Sequence, residues 1–241
     1  VGSGQSNMAG GAAGYAKNDE TLAKVLAGAP YPKLRLLKSP GSWAEATPQN
    51  AAGFSALLLA FGQRLQADLE VPVGLIQGAV GGTPSGLWLS EAAFEADKGV
   101  ADVVAAAQAK YDPAAAQKQY EAVLARWELA AGDAKKEGKQ APRKPQPPVP
   151  PGQMQGGQIG GLYERYIRPV VGYGIRGVLW DQGESGTRIE GVDQYTLMGA
   201  LIRGWRSEWQ QGDFPFLYVQ KPSGGGCAFD PQDPVTRNAE A

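Results

Sequence analysis

Apolar runs of strand length alternate along the chain with segments in which apolar residues recur at helical spacing. Predicted strands lie near Val1 and at residues 33–38, 71–76, 175–180 and 214–219. Predicted helices lie at residues 54–69, 92–139, 162–171 and 192–209. No two of these strands stand at hairpin distance. The alternation predicts an α/β domain, a three-layer sandwich in which helices cover both faces of a mainly parallel sheet.

The helix predicted at residues 54–69 has the clearest period. Its apolar stripe, which we expect to face the core, consists of Phe54, Leu57, Leu58, Phe61 and Leu65. The preceding residues 43–53 are polar and rich in alanine, and they are predicted to form a loop.

Residues 111–153 differ in composition from the rest of the chain. They are rich in Ala, Lys, Glu and Gln as far as residue 139, and six prolines follow between residues 141 and 151. The first part favours an exposed helix, which Asp112-Pro113 separates from the helix before it. The second favours extended, polyproline-type chain. We predict a peripheral insertion within a single domain that spans residues 1–241.

Glycine-rich loops follow three of the predicted strands, at residues 2–10, 77–84 and 181–186. In parallel sheets, ligands bind outside the carboxyl ends of the strands. The three loops are far apart in the sequence, but we expect them to meet at one edge of the sheet and to form the functional site.

Small residues surround Ser6 in the first loop, as an exposed hydroxyl at a strand-to-helix turn requires. The alternative is an ordinary helix start that Ser6 or Asn7 caps. A phosphate-binding loop is excluded because no Lys-Ser or Lys-Thr follows the glycines. A dinucleotide fingerprint would need glycine at Asn7, and a G-x-S-x-G elbow would need glycine at Met8.

Composition narrows the possible functions. The 241 residues suffice for one large domain, and the net charge of −1 argues against a nucleic-acid partner. No apolar run is long enough to span a membrane, so we expect no membrane partner. One cysteine, Cys227, excludes an internal disulfide, and the chain has no histidine, the commonest catalytic zinc ligand. We predict neither a metal nor a cofactor.

Acyl transfer by a serine needs a nucleophile, oxyanion donors and a base. Ser6 can act as the nucleophile. Its own N–H, the N–H of Gly81 or Gly82, and the uncharged side chain of Gln182 can donate hydrogen bonds to an oxyanion.

Three blocks in this order resemble those of the sialate O-acetylesterase family, a branch of the SGNH-hydrolase superfamily that includes bacterial acetylxylan esterases. They are Gly-Gln-Ser-Asn-Met at residues 4–8, Gly-Gly-Thr at residues 81–83 and Trp-Asp-Gln-Gly-Glu-Ser at residues 180–185. The resemblance implies a flavodoxin-like sheet. It also implies a serine esterase that removes O-acetyl groups from carbohydrates through an acyl-enzyme.

The resemblance also implies roles for individual residues. Ser6 is the nucleophile, and the Ser6 and Gly82 amides and the Gln182 side chain form the oxyanion hole. Four further residues support the loops or contact substrate: Gln5, Asn7, Gly81 and Thr83. Glu184 either braces the loops or touches the sugar, and we favour bracing because its charge would oppose an oxyanion. Asp181 stands where the family often has an aromatic residue.

The sequence departs from the family in its base. The family carries a late Asp-x-x-His motif that activates the serine, whereas this chain has no histidine. We therefore expect a sequence truncated at both ends that is nearly inactive as it stands. The alternative is an inactive carbohydrate-binding relative, and a weaker one is a thioesterase or lipase of the same superfamily. We expect an acetylated carbohydrate, of sialic acid or xylan type, as substrate and an extracellular or periplasmic location.

Overall fold

One sheet organises the part of the chain that the computed structural model describes, residues 1–219. Six strands of these residues lie in the order β3-β2-β4-β1-β5-β6, and every neighbouring pair is parallel except β2 and β3. The strands are β1 (Gly2–Gly4), β2 (Tyr31–Lys38), β3 (Trp43–Ala46), β4 (Val73–Ala79), β5 (Val178–Asp181) and β6 (Phe216–Tyr218).

Nine α-helices connect the strands within the same residues. They are α1 (Ser6–Ala9), α2 (Ala12–Tyr15), α3 (Glu20–Ala27), α4 (Pro48–Gly53), α5 (Ala56–Leu69), α6 (Glu91–Ala96), α7 (Lys98–Gln108), α8 (Pro113–Lys136) and α9 (Gln194–Trp209). Short 3-10 turns occur at Ser85–Leu87 and Arg168–Val170, and a π-helical turn occurs at Tyr163–Ile167. Side chains cap several helices; for example, Ser55 accepts a hydrogen bond from the N–H of Leu58 at the start of α5.

Helices cover both faces of the sheet. Leu36 and Leu75 lie in one apolar core with residues of α1–α5, whereas their chain neighbours Leu37 and Ile76 lie in a second core with α6, α7 and α9. Consecutive strand residues point to opposite faces, so the two cores lie on the two sides of the sheet. The predicted α/β class with a mainly parallel sheet is confirmed.

The predicted loop at residues 43–53 is wrong. Trp43–Ala46 forms the edge strand β3, antiparallel to β2, and Pro48–Gly53 forms α4. The prediction that no strands form a hairpin fails here as well. Alanine and glutamate have low strand propensity, so pairing with β2, and not local preference, makes this segment a strand.

The helix at residues 54–69 is confirmed, but only part of the predicted stripe is buried. Phe54 and Leu58 are buried as predicted, whereas Leu57 and Phe61 are exposed by 43% and 40%. The buried residues of α5 are Ala56, Leu58, Leu59 and Gly62. An added Cβ at Gly62 would overlap the side chain of Leu75. The small residues therefore let α5 approach β4 closely and turn the two large side chains outward.

Residues 113–136 of the predicted insertion form a helix, as the sequence predicted. No residue of α8 is buried, and residues 139–150 have no regular structure. The indole N–H of Trp127 donates to the Pro142 carbonyl at 2.8 Å, so the proline-rich segment folds back along the helix. The predicted helix at residues 162–171 is instead the π turn followed by the 3-10 turn, and α2 and α3 were not predicted. Cys227 lies outside the described residues.

Candidate active site

Ser6 lies at the carboxyl end of the central strand. β1 ends at Gly4, and Ser6 is the first residue of the one-turn helix α1. The N–H of Gln5 donates to the Asp181 carbonyl at 2.9 Å, which fixes the turn against β5. Gln5 is buried, whereas Ser6 is exposed, so the turn presents the hydroxyl to solvent at the edge where the three loops were predicted to meet.

Glycine is required where the chain enters this turn. Gly4 has φ = 129°, which L-residues rarely adopt, and a Cβ there would overlap the backbone carbonyl oxygen of Asp181. β1 and β5 therefore approach each other more closely than any side chain at residue 4 permits.

The second loop lies beside the serine. An ideal Cβ on Gly81 would lie 3.4 Å from the Cβ of Ser6, an ordinary van der Waals distance, so Gly81 is the neighbour of Ser6 at this edge. Gly82 adopts φ = 70°, and both glycines are exposed. The structure thus brings Ser6, Gly81 and Gly82 together, as the sequence predicted for strands that share one edge.

Gln182 is joined to the second loop through Thr83. Its side chain is fully buried, and its Nε2 donates to the Thr83 carbonyl at 2.6 Å. The Thr83 hydroxyl donates to the Val80 carbonyl at 2.7 Å and accepts from the indole N–H of Trp88 at 3.2 Å. An amide nitrogen carries two hydrogens, so Thr83 uses one donor of Gln182. The Oε1 of Gln182 has no hydrogen-bond partner within residues 1–219.

The two carboxylates of the third loop lie in different surroundings. Asp181 is buried, and its Oδ1 accepts from the Nδ2 of Asn7 at 3.5 Å. Glu184 is half-buried. Asn7 therefore links the serine turn to the end of β5.

Backbone hydrogen bonds join the second and third loops. The N–H of Ser85 donates to the Gly186 carbonyl at 3.0 Å, and the N–H of Gly86 donates to the Thr187 carbonyl at 3.2 Å. The loops that carry Gly82 and Gln182 consequently form one connected unit facing the serine turn.

Sequence reasoning missed Gln77, a buried residue that contacts the end of α1. Gln77, in β4, is buried and contacts both the Ala9 carbonyl and the N–H of Ser55. The available signal was an amide side chain at the end of an otherwise apolar strand, which the sequence analysis assigned to the start of the second loop.

Within residues 1–219 there is no group of three or more Asp, Glu, Cys or His side chains placed to hold a metal ion. A surface cavity of about 660 Å³ lies between α6, α7 and α9, and Asp97 and Arg203 are among the residues that line it. None of the three loops contributes to that lining.

No helix in the described part is both long and apolar enough to cross a membrane.

Comparison with known proteins identifies the family. A family model described as carbohydrate esterase, sialic acid-specific acetylesterase, matches residues 1–138. Sialate O-acetylesterase from Rattus norvegicus is 29% identical over 195 residues, which cover 76% of this chain and 33% of the rat protein. The chain thus spans about a third of the length of that relative.

A solved structure agrees on the fold. The crystal structure of a carbohydrate acetylesterase from Xanthomonas citri superposes with a TM-score of 0.60 and 24% identity, covering 99% of this chain and 46% of that chain. A protein from Arabidopsis thaliana has a TM-score of 0.47 and 21% identity, covering 98% of this chain and 77% of that chain. Because the family model matches more than half of its residues, this chain belongs to the sialic acid-specific acetylesterase family of carbohydrate esterases.

Proposed function

We propose that this chain is the catalytic domain of a serine esterase that removes O-acetyl groups from carbohydrates, with Ser6 as the nucleophile. One observation carries the proposal: Ser6 is exposed at the end of the central strand, and Gly81 lies beside it. Glycine amides beside a nucleophile are what an oxyanion hole requires. Family membership supports O-acetyl ester hydrolysis, with a sialic acid or a xylan-type glycan as the candidate acetylated sugar.

The reaction proceeds in two balanced steps. The Ser6 Oγ attacks the acetyl carbonyl carbon and loses its proton to a base. The bond from this carbon to the sugar oxygen then breaks, and the sugar oxygen takes the proton from the base and leaves as a hydroxyl. Water then attacks acetyl-Ser6 in the same way and releases acetate. The N–H groups of Ser6 and Gly82 and the second N–H of Gln182 donate to the oxyanion in both steps, and each donor contributes roughly 3 kcal/mol.

The base is the missing component. A serine hydroxyl is a poor nucleophile unless a base accepts its proton, and the chain contains no histidine. Asp181 and Glu184 belong to the loop that carries the proposed oxyanion donor, so a negative charge on either would oppose the oxyanion. We therefore propose that the 241-residue chain alone retains only residual catalysis, roughly 10³–10⁴-fold over water.

The absence of histidine also favours a second candidate function. A relative that kept the pocket without the catalytic base would bind acetylated carbohydrates and not hydrolyse them. In this case the Gly82 and Gln182 donors would hold the acetyl carbonyl oxygen of an intact ester.

Acetate release from a panel of acetylated sugars separates the two functions. The full-length native protein should release acetate, and Ser6→Ala should abolish the release without lowering the melting temperature. Ser207→Ala removes an exposed serine hydroxyl from α9, far from the three loops, and should have no effect.

The 241-residue chain should hydrolyse the same sugars far more slowly than the full-length protein. If the full-length protein binds acetylated sugars but Ser6→Ala changes no rate, the binding function is correct and the esterase proposal is wrong. Brisk hydrolysis by the 241-residue chain, lost on Ser6→Ala, would instead show that the base lies within these residues.

A further inference from the structure

The helix that carries Ser6 cannot hold its own orientation. α1 has only four residues, far fewer than an isolated helix needs for stability. Its N-cap residue, Gln5, makes no side-chain capping bond, and Gly10 and Gly11 follow its last residue. The direction of the Ser6 hydroxyl therefore depends on contacts from other elements.

Gln77 provides contacts of this kind. It lies in β4, directly beside Gly2 of β1 in the parallel register, and is 1% exposed. Its Nε2 donates to the carbonyl of Ala9, the last residue of α1, at 3.2 Å. Its Oε1 accepts from the N–H of Ser55 at 3.0 Å. One buried amide thus joins the end of α1 to the start of α5.

Backbone contacts complete this joint. The N–H of Ala56 donates to the Gly10 carbonyl at 2.9 Å, and the N–H of Ala12 donates to the Phe54 carbonyl at 2.8 Å. The Ser55 hydroxyl lies 3.7 Å from the sulfur of Met8, the buried residue of α1. Each of these contacts joins residues 54–56, which Gln77 binds through the N–H of Ser55, to α1 or to the residues that follow it.

We propose that Gln77 is a positioning residue, which fixes α1 between β4 and α5 and so sets the Ser6 hydroxyl against Gly81 and Gly82. Its effect on catalysis rests on the esterase function proposed above. An uncharged amide suits this position because it supplies a donor and an acceptor together without burying a charge.

Two substitutions separate the roles of the amide. Gln77→Met keeps the size of the side chain and removes both hydrogen bonds. Gln77→Glu keeps an acceptor for the Ser55 N–H, but its ionised carboxylate has no hydrogen to give the Ala9 carbonyl. A protonated Glu at residue 77 would supply one donor and one acceptor, as the native amide does. In the pairing of β2 with β4, Gln77 lies beside a charged residue, Lys38, whose side chain is exposed.

Steady-state kinetics of the full-length protein test the positioning role. Gln77→Met should lower kcat by about 10- to 100-fold with KM within twofold of the native value, because a small misplacement of the nucleophile slows the chemistry. For Gln77→Glu, the ratio of its kcat to the native kcat should rise as the pH falls and the carboxyl takes up its proton. The control is Ser90→Ala, which removes a buried hydroxyl that caps α6 in the other core. It should cost stability but leave kcat unchanged.

Amide hydrogen exchange gives a second readout that needs no activity. The N–H groups of Ala9, Gly10 and Ala12 are hydrogen-bonded in the native protein and should exchange faster in Gln77→Met than in Ser90→Ala. Equal exchange in the two variants, or equal kcat at equal loss of melting temperature, would overturn the proposal. If the native protein releases no more acetate than Ser6→Ala, the esterase function fails, and the exchange rates alone decide whether Gln77 positions α1.

Discussion

Replacement of Gly4 by alanine should separate β1 from β5 at the point where the serine turn begins. The added methyl group would overlap the Asp181 carbonyl oxygen and lie 2.7 Å from the carbonyl carbon, where ordinary contact begins near 3.4 Å. Both atoms belong to the backbone of the neighbouring strand, so no side-chain rotation relieves the overlap. The residue must also keep φ = 129°, which suits glycine alone.

The cost follows from these two terms. Backbone strain at such a φ contributes about 1–3 kcal/mol. Separation of the strands loses the hydrogen bond from Gln5 N–H to the Asp181 carbonyl, a further ~1 kcal/mol, and disturbs its packed neighbours. We expect Gly4→Ala to lower the free energy of unfolding by about 2–4 kcal/mol in total. For a domain of this size, that corresponds to a melting temperature lower by about 10 °C.

Two control variants separate strain from overlap. Gly82 adopts φ = 70° but has no atom within 4 Å of an added Cβ, so Gly82→Ala should cost only the left-handed strain, about 1–2 kcal/mol. Gly132, in α8, has neither feature, and Gly132→Ala should leave the melting temperature unchanged or slightly higher. Differential scanning calorimetry of the three variants measures the series. If Gly4→Ala melts no lower than Gly82→Ala, the close approach of β1 and β5 does not constrain residue 4.

Two further predictions concern regions away from the serine. Replacing residues 112–148 by a short Gly–Ser linker should change the melting temperature by less than about 4 °C, the effect of ~1 kcal/mol. The change is small because α8 buries no residue, and a short linker suffices because the Nε2 of Gln108 lies 3.4 Å from the Pro151 carbonyl. Loss of cooperative melting would contradict this prediction. The hydrogen bond from Arg203 lowers the pKa of Asp97, so its ion pair stabilises the fold above the ordinary Asp pKa, and this contribution disappears as the pH falls through the lowered value. Asp97→Asn should therefore cost about 1 kcal/mol or less at pH 7, and the cost should shrink as the pH falls below the ordinary Asp pKa. A cost that does not change with pH would refute the pairing.

The sequence predicted the elements of the fold better than their faces and edges. The strand at residues 175–180 and the helix at residues 192–209 were found because their apolar residues are buried and their periods are distinct. The edge strand β3 was missed because its stability comes from pairing with β2. The α5 stripe was only partly correct because packing against Leu75 favours Gly62 over larger residues, and hydrophobicity alone carries no information on close approach.

In the candidate site, too, the sequence predicted some features and missed others. The proximity of Ser6 to Gly81 could be predicted, because parallel strands end at one edge and both loops are rich in glycine. The hydrogen bond from Gln182 to Thr83 and the contacts of Gln77 could not. Each joins residues separated by dozens of positions, and an amide side chain has no sequence pattern that identifies its partner.

The central strand explains why neighbouring elements must position the serine. A Cβ on Gly2 would overlap Leu58 of α5, and a Cβ on Gly4 would overlap the backbone of β5, so close approach on two sides requires glycine at both positions. Glycine weakens a strand locally because it loses the most conformational freedom on folding and offers no side chain to pack. The contacts of β4, β5 and α5 therefore hold the serine turn in place. A substitution that loosens any of the three should move Ser6 before it unfolds the domain.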